Sequence, residues 1–178
     1  LSGLNYAVDE AADYKANNLR IENGVYVFDV QTPTAKIKDI NFSLPGKHNV
    51  MNALAALAMA EVYGLSLEDI KKSLSSFKGV KRRFSYRIKE DNYVLIDDYA
   101  HHPTEIKAVE NSIREMYVDE KALVVFQPHL FSRTRDFSDD FAASLSRFDE
   151  ILLLDIYPAR EKPIKGITSE WLLGKIDN

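Results

Sequence analysis

Ala122-Leu123-Val124-Val125-Phe126 and Ile151-Leu152-Leu153-Leu154 are two short, almost wholly apolar runs, and what lies around them decides the fold. Between them Phe137, Phe141, Leu145 and Phe148 recur at the period of a helix face, with Asp136 placed as its N-cap. A third run, Tyr93-Val94-Leu95-Ile96, lies upstream. Ile106, Val109, Ile113 and Met116 stripe the helix that follows it, with Pro103 at the first helical position. This alternation spells βαβαβ. Parallel strands with helices over both faces are apolar throughout, where a one-sided sheet would alternate. The fold class predicted is α/β, with a Rossmann-like, doubly wound and mostly parallel sheet. Ser169–Leu173 opens one more helix.

Upstream the texture differs. Asn23-Gly24, between Leu19–Ile21 and Val25–Val30, predicts a tight hairpin, because a I′ turn needs positive φ at both central residues. Ala35–Leu44 adds a strand, and Pro45-Gly46 ends it. Asn49 to Tyr63 is an Ala-rich helix stopped by Gly64. Ser66, able to cap the Asp69 N–H, starts another that runs to about Phe77. Phe84, Tyr86 and Ile88 share a strand face that turns at Asp91-Asn92 into the Tyr93 run. Gly79 begins a basic connector, Lys81-Arg82-Arg83, read as a boundary. The expected organisation is 1–83, a partial domain of strands and two helices, then 84–178, the α/β domain.

Composition narrows the function classes. With 46% apolar residues, the 178-residue chain can bury a core. Lys plus Arg (23) against Asp plus Glu (27) gives a net charge of −4, which argues against nucleic acid, whose recognition needs a basic footprint. No apolar run approaches the roughly 18 residues of a bilayer span, so no membrane partner is expected. The absence of cysteine suits a reducing, cytoplasmic setting. The chain opens Leu1-Ser2-Gly3, with no Met and no secretory signal, and is expected to be cut from something longer.

Ligands of open α/β sheets bind beyond the carboxyl ends of the strands. Those positions carry Asp97-Asp98-Tyr99-Ala100-His101-His102-Pro103-Thr104-Glu105, then Gln127-Pro128-His129-Leu130-Phe131-Ser132-Arg133-Thr134-Arg135, then Asp155-Ile156-Tyr157-Pro158-Ala159-Arg160-Glu161-Lys162. Parallel topology would gather the three loops at one edge. Histidines and arginines on one rim make an anion site, since the planar guanidinium fork suits carboxylate and phosphate. Blander readings stand beside this one. Asp98 also fits as a turn cap, and Glu161 with Lys162 reads as a solvated pair. No metal site is assigned, because the adjacent His101 and His102 of an extended loop point apart. There is no cysteine nucleophile, no serine in a Gly-flanked elbow and no G-x-x-x-x-G-K-[ST] loop.

Five segments together resemble the Mur ligases: Gly46 to Ala56 (G-x-H-N-x-x-N-x-x-A-A), Val80 to Phe84 (V-K-R-R-F), Asp97 to Glu105, Phe126 to Arg135 (F-Q-P-H-x-x-x-R-T-R) and Asp155 to Ile164. The resemblance implies three-domain, ATP-dependent acid–amino-acid ligases of peptidoglycan synthesis, hence cell-wall biogenesis, cell shape and division, acting in the cytoplasm. This chain would hold the end of the central ATPase domain and most of the third domain. The implied reaction joins L-alanine to UDP-N-acetylmuramate through an acyl phosphate, with ATP and Mg2+ as cofactors and the Mg2+ ligands mainly upstream. By the same resemblance His48, Asn49, Asn52, Arg83 and Asp98 match nucleotide-binding positions. Tyr99, His101, His129 and Arg133 match loops that close over the amino acid and acyl phosphate. Among these, His101, His129 and Arg133 are the catalytic candidates, and Arg133 is the first choice for the alanine carboxylate.

Some positions depart from the family pattern. Leu130 and Phe131 stand where arginine and tyrosine are common, and Arg160 replaces a frequent glycine. Without the P-loop and the UDP-substrate domain, the isolated chain is expected to be inactive. Three alternatives remain open: a ligase recycling a preformed tripeptide onto the same sugar, a metal-dependent phosphoesterase-like domain, and a non-catalytic nucleotide- or partner-binding module.

Overall fold

The computed structural model describes residues 3–22 and 24–177, and its compact units divide between Asp98 and Tyr99. In the first unit, β1 (Tyr6–Val8), β2 (Tyr14–Glu22), β3 (Val25–Gln31) and β4 (Lys36–Phe42) form a sheet in that order. β1 runs parallel to β2, and the remaining pairs are antiparallel. The predicted hairpin is present, with Glu22 opposite Val25 and Gly24 at φ +73°. Asn23, the other half of that turn, lies outside the described residues.

α1 (Lys47–Val62) buries Val50, Ala53, Leu54, Leu57 and Ala58, and its small alanines allow close packing. α2 (Leu67–Ser76) starts as predicted, with the Ser66 hydroxyl accepting the Asp69 N–H at 3.1 Å. Phe42 bridges strand and helix end: its ring meets Phe28 edge-on at 6.4 Å and stacks on Phe77 at 6.3 Å.

The connector is sharply bent, with Arg82 at φ +61° and Phe84 at φ +46°. Phe84 is buried, and its N–H donates to the Asp98 carboxylate at 2.7 Å, tying the start of β5 (Ser85–Glu90) to the end of β6 (Tyr93–Asp97). These strands pair antiparallel around the Asp91-Asn92 turn. The hairpin, assigned by sequence to the second domain, stands on the first unit's side of the compact division.

The second unit contains α3 (Pro103–Met116), β7 (Leu123–Phe126), α4 (Phe131–Asp136), α5 (Ser138–Leu145), β8 (Glu150–Leu153) and α6 (Ser169–Leu173). The class is α/β, as read from the sequence. Of the three apolar runs, two pair in parallel as β7–β8, and the third, β6, pairs antiparallel with β5. Val124, Phe126, Ile151 and Leu153 face a core of Ile106, Phe141, Leu145, Phe148 and Leu172. The opposite face, expected to be helix-covered, leaves Val125 56% and Leu152 52% exposed within the described residues.

Asp136 does not cap a helix. It closes α4 and pairs with Arg135 at 2.7 Å, because the helical bond from Phe137 N to Arg133 O carries α4 through it. The chain then breaks at Phe137, whose ring rests against His102 at 4.9 Å, and α5 begins after it.

Candidate functional site

In the first unit the candidates form two groups. His48, Asn49 and Asn52 occupy the first turns of α1, where i, i+3 and i, i+4 spacing puts them on one side. One amide donor of Asn49 is committed to the Pro45 carbonyl at 2.7 Å, which finishes the helix start after Gly46. His48 and Asn52 are exposed. Arg83 and Asp98 flank Phe84: Arg83 N donates to Val80 O at 3.0 Å, and Asp98 holds the Phe84 N–H. Asp97 is paired with Arg87 at 2.7 Å and with Arg82 at 3.7 Å.

In the second unit, Tyr99 and His101 stand before α3. Their rings meet edge-on at 5.1 Å. His101 Nδ1 lies 2.9 Å from the Tyr99 carbonyl and 3.2 Å from Glu105 Oε2, both of them acceptors. Nδ1 therefore carries the proton in the neutral ring, and the basic lone pair is on Nε2. Glu105 also accepts the His101 N–H at 2.9 Å, an acidic side chain reaching back over the helix start in the manner of a capping box. His102 is used structurally. It is the N-cap of α3, accepting the Thr104 N–H at 3.4 Å and lying 2.8 Å from the Thr104 hydroxyl.

The loops after β7 and β8 are zipped together. Beyond the strands the parallel ladder continues as a bridge between His129 and Tyr157, with Leu130 N donating to Tyr157 O at 2.9 Å and Tyr157 N to Pro128 O at 2.8 Å. The Gln127 amide donates to Asp155 O at 3.1 Å. Glu161 completes the closure: its carboxylate accepts the Ser132 N–H at 2.9 Å and the Ser132 hydroxyl. These donors hold the Glu161 carboxyl below the usual range. Within this frame His129 Nδ1 and Arg133 Nη1 are buried and meet no hydrogen-bond partner among the described residues. A buried polar atom that meets no partner is costly.

No group of three or more His, Asp or Glu side chains among the described residues is placed to hold a metal ion. His129 and Arg133 stand out in the sequence by residue type, whereas Glu161 reads there as half of a solvated pair and Tyr157 and Ser132 carry no assigned role. Glu105 had a local signal, three residues after an N-cap. Glu161 stands at a fixed position of the family pattern D-x-Y-P-A-x-E-x-P-I over Asp155 to Ile164, but its partner, 29 positions away, is not legible there.

The Mur ligase glutamate ligase domain family model matches residues 82–177, and the Mur ligase middle domain matches residues 3–60. The chain belongs to the Mur ligase family. Among Mur ligases it is 63% identical over 178 residues to a UDP-N-acetylmuramate–L-alanine ligase of Flavobacterium psychrophilum, covering all of this chain and 40% of that relative. The corresponding ligase of Christiangramia forsetii is 62% identical, again over the whole chain and 39% of the relative. A crystal structure of the UDP-N-acetylmuramate-alanine ligase of Thermotoga maritima superposes with TM-score 0.74 at 30% identity, covering 86% of this chain and 34% of that one. The chain thus spans about 40% of the length of the curated Mur ligases it matches.

Proposed function

We propose that this chain is part of an ATP-dependent ligase that joins L-alanine to UDP-N-acetylmuramate through an acyl phosphate, in the cytoplasm, during peptidoglycan synthesis. Residues 1–83 are read as the end of the central ATPase domain and 84–178 as most of the third; the extents of the two family-model matches support this. The observation that carries the reading is the pair of buried atoms that meet no hydrogen-bond partner among the described residues, Arg133 Nη1 and His129 Nδ1, on one zipped loop.

The chemistry follows from what these groups can do. Arg133 takes the alanine carboxylate, a planar anion matched to its fork; His129 lies on the same loop, and Tyr99, on the loop before α3, is assigned to the same substrate. Alanine arrives as an ammonium ion and has no lone pair to attack with. His101 Nε2, left basic by the bonds that engage Nδ1, takes the proton. The freed amine then adds to the carbonyl of the acyl phosphate, and the tetrahedral intermediate gives its second nitrogen proton to the departing phosphate as the C–O bond breaks and the amide forms. On the nucleotide side, His48, Asn49 and Asn52 are assigned to the adenine, and Arg83 and Asp98 to the phosphates and ribose. Magnesium bound in the complete ligase would neutralise the phosphates.

The test is substrate choice. A complete ligase carrying this chain should form product with L-alanine and ATP, and should not accept a preformed tripeptide in its place. Preference for the tripeptide would overturn the reading in favour of the recycling reaction. The chain purified alone should show no alanine-dependent ATP hydrolysis.

A further inference from the structure

We propose that Glu161 is a positioning residue of the amino-acid site, clamping the start of α4 and thereby fixing Arg133. The proposal rests on the reading of Arg133 given above and extends it to the residue that holds the loop in place.

α4 has no cap of its own. Leu130 occupies its N-cap position at φ +73°, a conformation that side chains rarely adopt, and its apolar side chain offers no acceptor. The acceptor comes instead from the loop after β8, where the Glu161 carboxylate takes both the N–H and the hydroxyl of Ser132. Ser132 is directly followed by Arg133.

The division of labour along the loop is clear. Pro128 and Leu130 are held through backbone bonds to Tyr157, and the His129 ring by stacking on the Tyr157 ring. Thr134 turns its hydroxyl back to Leu130 O at 2.8 Å, a bond internal to α4. Glu161 thus supplies the side-chain staple from the β8 loop to α4, two hydrogen bonds beside the residue whose Nη1 meets no partner among the described residues. A carboxylate is suited to this because it accepts both donors at once. A glutamine has one acceptor oxygen and would release one of them.

The experiment uses the complete ligase carrying this chain, with Glu161→Ala, Glu161→Gln, Ser132→Ala and Ser132→Thr, and with Arg133→Ala as reference. Loss of a charge-assisted bond at the loop should raise KM for L-alanine roughly 10-fold in both Glu161 variants. KM for ATP and for UDP-N-acetylmuramate should stay unchanged. Ser132→Ala should shift in the same direction, and Ser132→Thr, which keeps the hydroxyl, should restore the parent value. A general fall in kcat or in folded protein with the alanine KM unmoved would overturn the proposal, and so would equal behaviour of Ser132→Ala and Ser132→Thr. If Arg133→Ala raises the alanine KM and the Glu161 variants do not, the clamp alone fails. If Arg133→Ala leaves it unchanged, the reading of the site itself fails.

Discussion

The rings of His129 and Tyr157 lie stacked, with centroids 5.5 Å apart and planes 27° from parallel, at the point where a parallel β-bridge joins the two loops. The stack orients the imidazole, while its Nδ1 remains buried without a hydrogen-bond partner among the described residues. Tyr157→Phe keeps the flat ring and should leave the alanine KM near the parent value in the complete ligase. Tyr157→Ala removes the platform and should raise it several-fold, read from steady-state kinetics at saturating ATP.

Arg133 is assigned the substrate carboxylate. Arg133→Ala should raise KM for L-alanine by roughly 10- to 100-fold, the loss expected for a charge-assisted pair. Arg133→Lys should recover only part of it, because an ammonium lacks the planar fork. A lysine variant with unaltered kinetics would speak against bidentate binding.

His101 is assigned the proton. His101→Ala should lower kcat by about 100-fold or more with a small change in the alanine KM, the range typical of a lost general base. The check is single-turnover amide formation from preformed acyl phosphate, which isolates this step from phosphorylation.

Glu110 is the buried charge of the second unit, accepting Arg147 Nε at 2.7 Å and Arg114 Nε at 3.3 Å. Both arginines keep contact with solvent, so removing the carboxylate does not strand a fully buried cation. Glu110→Ala should therefore cost about 2 kcal/mol, the scale of lost hydrogen bonds to charged groups. Phe141→Ala, in the fully buried core, should cost more, about 3–5 kcal/mol. Urea unfolding of both variants gives the ranking.

Acid should loosen the second unit. Asp149 is held below the usual carboxylate range first by the Ala122 N–H, then by Arg114, and Asp139 by Lys175. A carboxyl depressed in the folded state adds stability above its unfolded value, near pH 4, and loses it as pH falls through the folded one. Melting temperature should thus fall on acidification below about pH 4, and Asp149→Asn should flatten that fall. An acid limb unchanged in the variant would remove Asp149 as a contributor.

Much of the secondary structure was legible because its signals are local. Ser66, Pro103 and the Ser169 segment start helices where the sequence places them, since a cap acts on donors within one turn. The Asp136 prediction failed for a related reason. An acid before an apolar stripe looks like a cap, and nothing nearby reveals that the preceding residues already form a short helix. The same holds at the site. His129 and Arg133 stand out by residue type, whereas Glu161 looks like any surface charge until its partner is known.

By itself the amino-acid sequence determined the α/β class, the family and the starts of α2, α3 and α6, because periodicity, capping and motif spacing act over a few residues. Tertiary structure alone decided that Tyr157 and Glu161 hold the loop carrying His129 and Arg133. Those contacts join residues far apart along the chain. Their existence depends on which strands align and in what register, and no short-range propensity encodes that.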